Sequence, residues 1–270
     1  MTIITLITDM GTRDHYVAMV KGAILSQLPG ATIVDVTHAI KPFHNPEAVH
    51  VLRNAYPAFP KGTIHIVGVN PEADRFTVHV VAKHDGHYFI GADNGIFPLA
   101  FDGMPEEAYE ITMKLDDDHA AFPMKTVFVK AACHLARGGK PETIGRRMTS
   151  LRELFNIKPK SDESCIVGQV VYTDHYGNLI TNVSRSLFDK VRGGRSFRIG
   201  FGLPADDITR LHKTYGDVSN GVCLAFFNAS GDLEIAVNKG VEGSGGGAAR
   251  LLGLRENDPV RIDFSAKAKT

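Results

Sequence analysis

The spacing of apolar residues divides the chain into two stretches. Residues 3–8 (IITLIT) form a short β-rich run, too short for a helix, which breaks at Asp9-Met10-Gly11. After Asp14 the period changes. Val17, Val20, Ile24 and Leu28 recur three to four residues apart until Pro29-Gly30, which predicts an amphipathic helix. Residues 32–36 and 63–69 predict further strands, with a helix near 46–56 between them. Runs at 77–82 and 87–91 flank Asp85-Gly86, a strong hairpin signal. A last helix is expected over about 127–137, stopped by Gly138-Gly139. Through residues 156–164 (NIKPKSDES) apolar content falls and charge, Pro and Ser take over, as in an exposed linker. Beyond it helical periodicity nearly vanishes, and short β-rich runs follow at 166–172, 179–183, 196–201, 222–227, 233–237 and 259–264. The glycine run at 243–247 reads as a loop feeding a short helix. The expectation is an α/β N-terminal domain with a mainly parallel sheet, residues 1–158, followed by a C-terminal all-β barrel-like domain, residues 159–270.

Composition narrows the class. The chain has 270 residues, 30 basic and 30 acidic, 43% of them apolar and none tryptophan, enough to bury one large core or two modest ones. Zero formal charge argues against a bulk electrostatic partner, so no nucleic acid is expected. No apolar run approaches the ~18 residues of a membrane span, and the acidic N-terminal stretch is too short for a signal peptide. Cys133, Cys165 and Cys223 are odd in number and far apart, with no CxxC pair. They read as reduced, packed thiols and point to the cytoplasm. The three successive aspartates of LDDDH, residues 115–119, point different ways in any one element, and the histidines show no HxH or HxxxH spacing. No metal site is expected.

Three stretches could carry chemistry. In residues 6–22 (LITDMGTRDHYVAMVKG) a strand ends at Asp9 and Asp14 opens the next helix. Carboxylates at the carboxyl end of an α/β sheet can hold hydroxyls or an ammonium; equally, Asp14 can cap the helix while Asp9 braces the turn. One glycine without GxGxxG is not a phosphate loop. In residues 172–182 (YTDHYGNLITN), Asp174 offers a carboxylate, Tyr176 a stacking face and Asn178 a donor–acceptor amide, although a plain hairpin uses the same residues. Residues 224–240 form a hairpin with Asn228 and Ser230 at its tip, and Tyr215 precedes it.

Five segments together resemble one family over nearly the whole chain. These are the TDxGxxDxYVxxxKG stretch, Asp93-Asn94-Gly95, the FVKAACHLARG run at Phe128–Gly138, DxxGNxxTN at Asp174–Asn182 and NxSGxLEIAxNxG at Asn228–Gly240. In order and spacing they resemble the S-adenosylmethionine (SAM) hydroxide adenosyltransferases, relatives of the SAM-dependent fluorinating and chlorinating enzymes. The resemblance implies a homotrimer with each site between one subunit's α/β domain and the next subunit's β domain. It implies that Asp9 grips the ribose hydroxyls and that Asp14 and Asp174 receive the methionine ammonium. It further implies that Asn178 reads the adenine edge, that Tyr176 and Tyr215 lie beside the base and Phe43 near the ribose, and that Ser230, in the Asn228 hairpin, helps hold the methionine carboxylate. The implied reaction is in-line displacement at the ribose 5′ carbon, with SAM as substrate and no cofactor, because a sulfonium leaves as a neutral thioether.

The chain departs from the family where water is activated. Asn70 stands at the family's VDPG aspartate, Arg75 at its arginine, and Pro123 at the histidine of FHGRD, with Lys125 where an arginine is common. Asn70 can hydrogen-bond a water but cannot take its proton. Glu72 or Asp74 in the same loop offers a replacement base. The expected activity is hydrolysis of SAM to adenosine and methionine. The alternative is a SAM- or adenosine-binding protein of the same fold whose nucleophile step is lost. Met124 at the halide-site serine disfavours a halogenase, and His15 after Asp14 disfavours the paired carboxylates of a calcium-dependent nucleoside hydrolase.

Overall fold

The computed structural model describes residues 2–113, 121–155, 157–201, 206–240 and 246–266. By contacts the chain separates into two compact units, Met1–Asn156 and Ile157–Thr270. The LDDDH run at 115–119 and most of the glycine run at 243–247 lie outside the described residues.

The first unit contains β1 (Ile3–Thr8), α1 (Tyr16–Gln27), β2 (Thr32–Thr37), α2 (Asn45–Ala55), β3 (Ile64–Gly68), β4 (His79–His84), β5 (His87–Ala92), α3 (Ile96–Ala100), β6 (Glu107–Ile111), α4 (Val129–Ala136) and β7 (Gly145–Arg147). The strands form one sheet in the order β2-β1-β3-β5-β4-β6-β7. Pairing is parallel from β2 to β5 and antiparallel from β5 onward, so the sheet is mixed. The predicted hairpin supplies the change of direction, with Asp85 and Gly86 both at positive φ. Alternation along the strands fills two layers. Ile4, Leu6, Ile64, Ile66, Val81 and Ile90 face one core with α1 and α4, whereas Ile7, Val67, Val80, Ala82 and Phe89 face a second with α2 and α3. The helix expected from 127 is regular only from Val129; Met124–Phe128 form a π-helical turn that buries Met124, Val127 and Phe128.

The second unit contains β8 (Lys160–Ser161), β9 (Cys165–Thr173), β10 (Leu179–Ser184), α5 (Arg185–Arg192), β11 (Phe197–Gly200), β12 (Cys223–Phe227), β13 (Asp232–Val237), α6 (Ala248–Leu252) and β14 (Pro259–Phe264). Its strands run β11-β14-β9-β10-β13-β12, all antiparallel, with β8 also on β9, so part of the expected linker is paired. The sheet curls back on itself. Ile208 exchanges hydrogen bonds with Ile199 on β11, and the His212 amide donates to Ala225 O on β12, so one segment reaches both edge strands. This answers the edge problem of an open sheet. Helix α5 interrupts the short β-rich runs at a place where no helical periodicity is expected. The Ser184 side chain caps it by accepting from the Leu187 amide, Gly193 ends it at φ 52°, and fully buried Phe188 meets Phe197, Phe227 and Phe264 edge-on in the core.

Candidate functional site

In the first unit the candidate residues gather where the parallel strands end. Asp9 follows β1 directly, and its Oδ2 accepts from the backbone amides of Phe43 (2.9 Å) and Asn70 (3.3 Å). Both donors lie in the left-handed region, Phe43 at φ 62° and Asn70 at φ 45°. That conformation costs roughly 1–2 kcal/mol per non-glycine residue. The charge-assisted bonds to one carboxylate oxygen offset it. One carboxylate thus ties the end of β1 to the turn before α2 and to the loop after β3, and Oδ1 keeps no hydrogen-bond partner among the described residues. The turn that carries Phe43 is braced by buried Glu47, whose Oε2 accepts from the Lys41 amide at 3.2 Å. Asn94 braces the other side: its Nδ2 donates to Val69 O and Asn70 O, and its own carbonyl accepts from Asn45 Nδ2.

Asp14 is exposed and does not cap α1. His15 occupies the cap position and the helix end has no side-chain cap, so the carboxylate is not committed to the helix. Gly68 makes room for Met124, because a β-carbon at Gly68 would overlap its Sδ. The buried thioether therefore lies against the carboxyl end of β3 and offers no hydroxyl there.

The loop after β3 carries Asn70, Glu72, Asp74 and Arg75. Asp74 Oδ1 accepts from the Phe76 and Thr77 amides, both at 2.7 Å, and these bonds hold its carboxyl below the usual range. Arg75 is exposed and stacks its guanidinium 4.5 Å from the Phe76 ring centre. Half-buried His79 pairs its Nε2 with Pro71 O at 2.8 Å, and burial pushes its imidazole below the ordinary value. Nothing in the residue pattern singles out His79, since it lies within a β-rich run. Among the described residues no three His, Cys, Asp or Glu side chains are grouped to hold a metal.

The second unit carries the other cluster. Asp174 organises the β9–β10 turn: Oδ1 accepts from the Tyr176 and Asn178 amides at 2.9 and 2.8 Å, and Oδ2 accepts from Asn178 Nδ2 at 2.9 Å. The hairpin reading therefore holds for half of Asn178. Its Oδ1, in a residue only 3% exposed, has no hydrogen-bond partner among the described residues. Gly177 at φ 79° lets the turn close, and its backbone touches Gly247 at the start of α6. Tyr176 is exposed. Tyr215 donates its hydroxyl to Glu234 Oε1 at 2.7 Å and meets Phe226 edge-on. Burial, that hydrogen bond and the neighbouring negative charge all push the Tyr215 phenol upward. Glu234, buried on β13, is itself raised by desolvation. Asn228 Oδ1 accepts from the Ser230 and Asp232 amides and so shapes the hairpin tip on which Ser230 sits exposed. Glu234 carries no sequence signal of its own, since a carboxylate in LEIAV reads as the solvent side of a strand.

A mixed α/β unit with carboxylates at its strand ends, joined to a curled β unit bearing aromatic and amide groups, defines a protein built for a small polar ligand. The chain belongs to the SAM hydroxide adenosyltransferase family: the model of its N-terminal domain matches residues 4–145 and that of its C-terminal domain residues 168–261. It is 31% identical over 270 residues to an (R)-S-adenosyl-L-methionine hydrolase of Thermus thermophilus, covering 95% of this chain and 97% of the relative. A fluorinase of Nocardia brasiliensis is 26% identical over 87% of this chain and 90% of its own. Among solved structures, an uncharacterized conserved protein of Thermotoga maritima superposes with a TM-score of 0.83 at 30% identity, covering 97% of this chain and all of that one.

Proposed function

We propose that this protein hydrolyses SAM to adenosine and L-methionine, acting as a cytoplasmic homotrimer. The observation that carries the reading is the Asp9 carboxylate at the end of β1, fixed through Oδ2 by the Phe43 and Asn70 amides with Oδ1 left to accept ribose hydroxyls. In the second unit, the unpartnered Oδ1 of Asn178 is suited to the adenine amino group, with Tyr176 and Tyr215 as faces for the base. Asp14 and Asp174 receive the ammonium, Ser230 in the Asn228 hairpin takes the carboxylate, and Phe43 covers the ribose. Water attacks the 5′ carbon in line. A C–O bond forms, the C–S bond breaks with its electron pair passing to sulfur, and methionine leaves as a neutral thioether. The chain has to position the water and strip its hydration, which placement by Asn70 and Arg75 serves. The Phe76 and Thr77 amides hold the Asp74 carboxyl below the usual range and make it a poorer proton acceptor, so Glu72 is the loop carboxylate suited to taking the released proton.

A second reading, a binding protein without turnover, is favoured by Asn70 and Pro123: the first cannot take a proton, and the second opens the Met124 helix without a side-chain donor. One assay decides. Metal-stripped protein incubated with SAM is expected to release adenosine and methionine at equal rates, with Asn70→Asp faster and Glu72→Gln slower. SAM binding with no product from the wild type, and product from Asn70→Asp, establishes the second reading.

A further inference from the structure

We infer that His38 is a positioning residue for the Asp9 carboxylate, tying the Asp9-Met10-Gly11 turn through the buried Thr8 hydroxyl to an ion pair at the surface. The inference rests on the proposed role of Asp9 and deepens it.

The sheet register creates the contact. Along β1 and β2 the pairing runs Leu6 with Asp35 and then Ile7 with Thr37, skipping Val36, so that His38 arrives beside Thr8. Both residues are buried, Thr8 completely and His38 at 5% exposure. His38 Nδ1 lies 2.8 Å from Thr8 Oγ1, while Nε2 stands 3.1 Å from Asp35 Oδ1, off the line of a straight hydrogen bond. Asp35 Oδ2 in turn meets Lys21 Nζ at 2.5 Å. Asp35 beside Nε2 favours the imidazole tautomer that carries its proton there. Nδ1 must then accept from the Thr8 hydroxyl, whose lone pairs are left to the Met10 amide at 3.4 Å.

His38 also grips the turn from its other side. Its carbonyl accepts from the Gly11 amide at 2.7 Å, and Gly11 at φ 66° is what folds the chain back far enough to reach it. The residues on either side of the Asp9-Met10 pair are thus held by one histidine, through its ring at Thr8 and its carbonyl at Gly11. A purely packing role would not need the polar chain running out through Asp35 to Lys21. A role in aiming Asp9 at the Phe43 and Asn70 amides does, because small displacements of a positioning group are costly.

The test measures adenosine binding by calorimetry, SAM turnover, melting temperature and amide exchange at Met10 and Gly11. His38→Ala is expected to weaken adenosine binding about tenfold or more and to speed exchange in the turn. His38→Asn, which keeps a polar atom near the Nδ1 position, is expected to recover most of both. Asp35→Asn alters only a half-exposed group and leaves the core intact, so a several-fold loss of affinity at unchanged melting temperature supports the relay. Adenosine affinity within twofold of wild type in both His38→Ala and Asp35→Asn overturns it. Failure of the wild type to bind adenosine or SAM overturns the functional reading instead. In that case turn exchange alone decides whether His38 holds Asp9: faster exchange in His38→Ala sustains the relay, and unchanged exchange overturns it.

Discussion

At the scale of single residues, burial separates groups that work by charge from those that work by shape. Glu234 is a carboxyl inside the β unit, and desolvation raises it above the ordinary glutamate value. The sign follows from linkage: the unfolded chain loses this proton near pH 4.5, while the folded chain keeps it to higher pH. Stability contributed by the protonated group is present at low pH and declines as pH rises through that interval. Glu234→Gln, which still accepts from Tyr215, should match wild type near pH 4 and exceed its melting temperature by a few degrees at pH 8, as thermal unfolding across that range would show. Asp9 was legible in the sequence because a strand, a carboxylate and a glycine in succession mark a strand-end turn. Thr8 with His38 was not, because thirty residues separate them and only the slipped parallel register joins them. Asn178 was half legible: turn chemistry accounts for its amide nitrogen, and only burial reveals the oxygen without a partner.

At the scale of elements, close backbone contacts set the tolerances. A β-carbon on Gly247 would overlap Tyr176 O and the Gly177 backbone, so the β9–β10 turn and the start of α6 can coexist only with glycine at that point. Gly247→Ala is expected to cost about 1–3 kcal/mol and to weaken adenosine binding together with stability. Gly22 offers the contrast: it lies in the exposed body of α1 with nothing within 4 Å of a β-carbon, and Gly22→Ala should gain up to about 1 kcal/mol without touching affinity. Denaturant melts and calorimetry on the two variants check both outcomes. Elements with long apolar periods, such as β1, α1 and β3, were readable from the chain. Helix α5 was not, because RSLFDKVR presents few apolar positions to a periodicity reading, and its identity rests on the Ser184 and Gly193 ends and on one phenylalanine. The π-helical turn before α4 has no residue signature; packing of Met124 against Gly68 accompanies it.

For the whole molecule, the balance of 30 acidic and 30 basic residues fits a partner held by a few placed groups. No helix among the described residues is long and apolar enough to cross a membrane. The proposed homotrimer predicts a sedimentation mass three times the 29.3 kDa of one chain, and a monomer mass would refute it. The division into an α/β unit and a β unit was visible as a change of period, and the Asp85-Gly86 hairpin was visible too, whereas β6 and β7 were not, since they are short and their pairing is non-local. Those two strands have an evolutionary consequence. The first-unit residues proposed to touch substrate or water, Asp9, Asp14, Phe43, Asn70, Glu72 and Arg75, all follow β1, β2 or β3, strands that run parallel, and none is borne on β6 or β7. With no proposed site residue on them, the outer strands are expected to be held by the demands of folding, and an alignment of lineages should show sequence drift running fastest there.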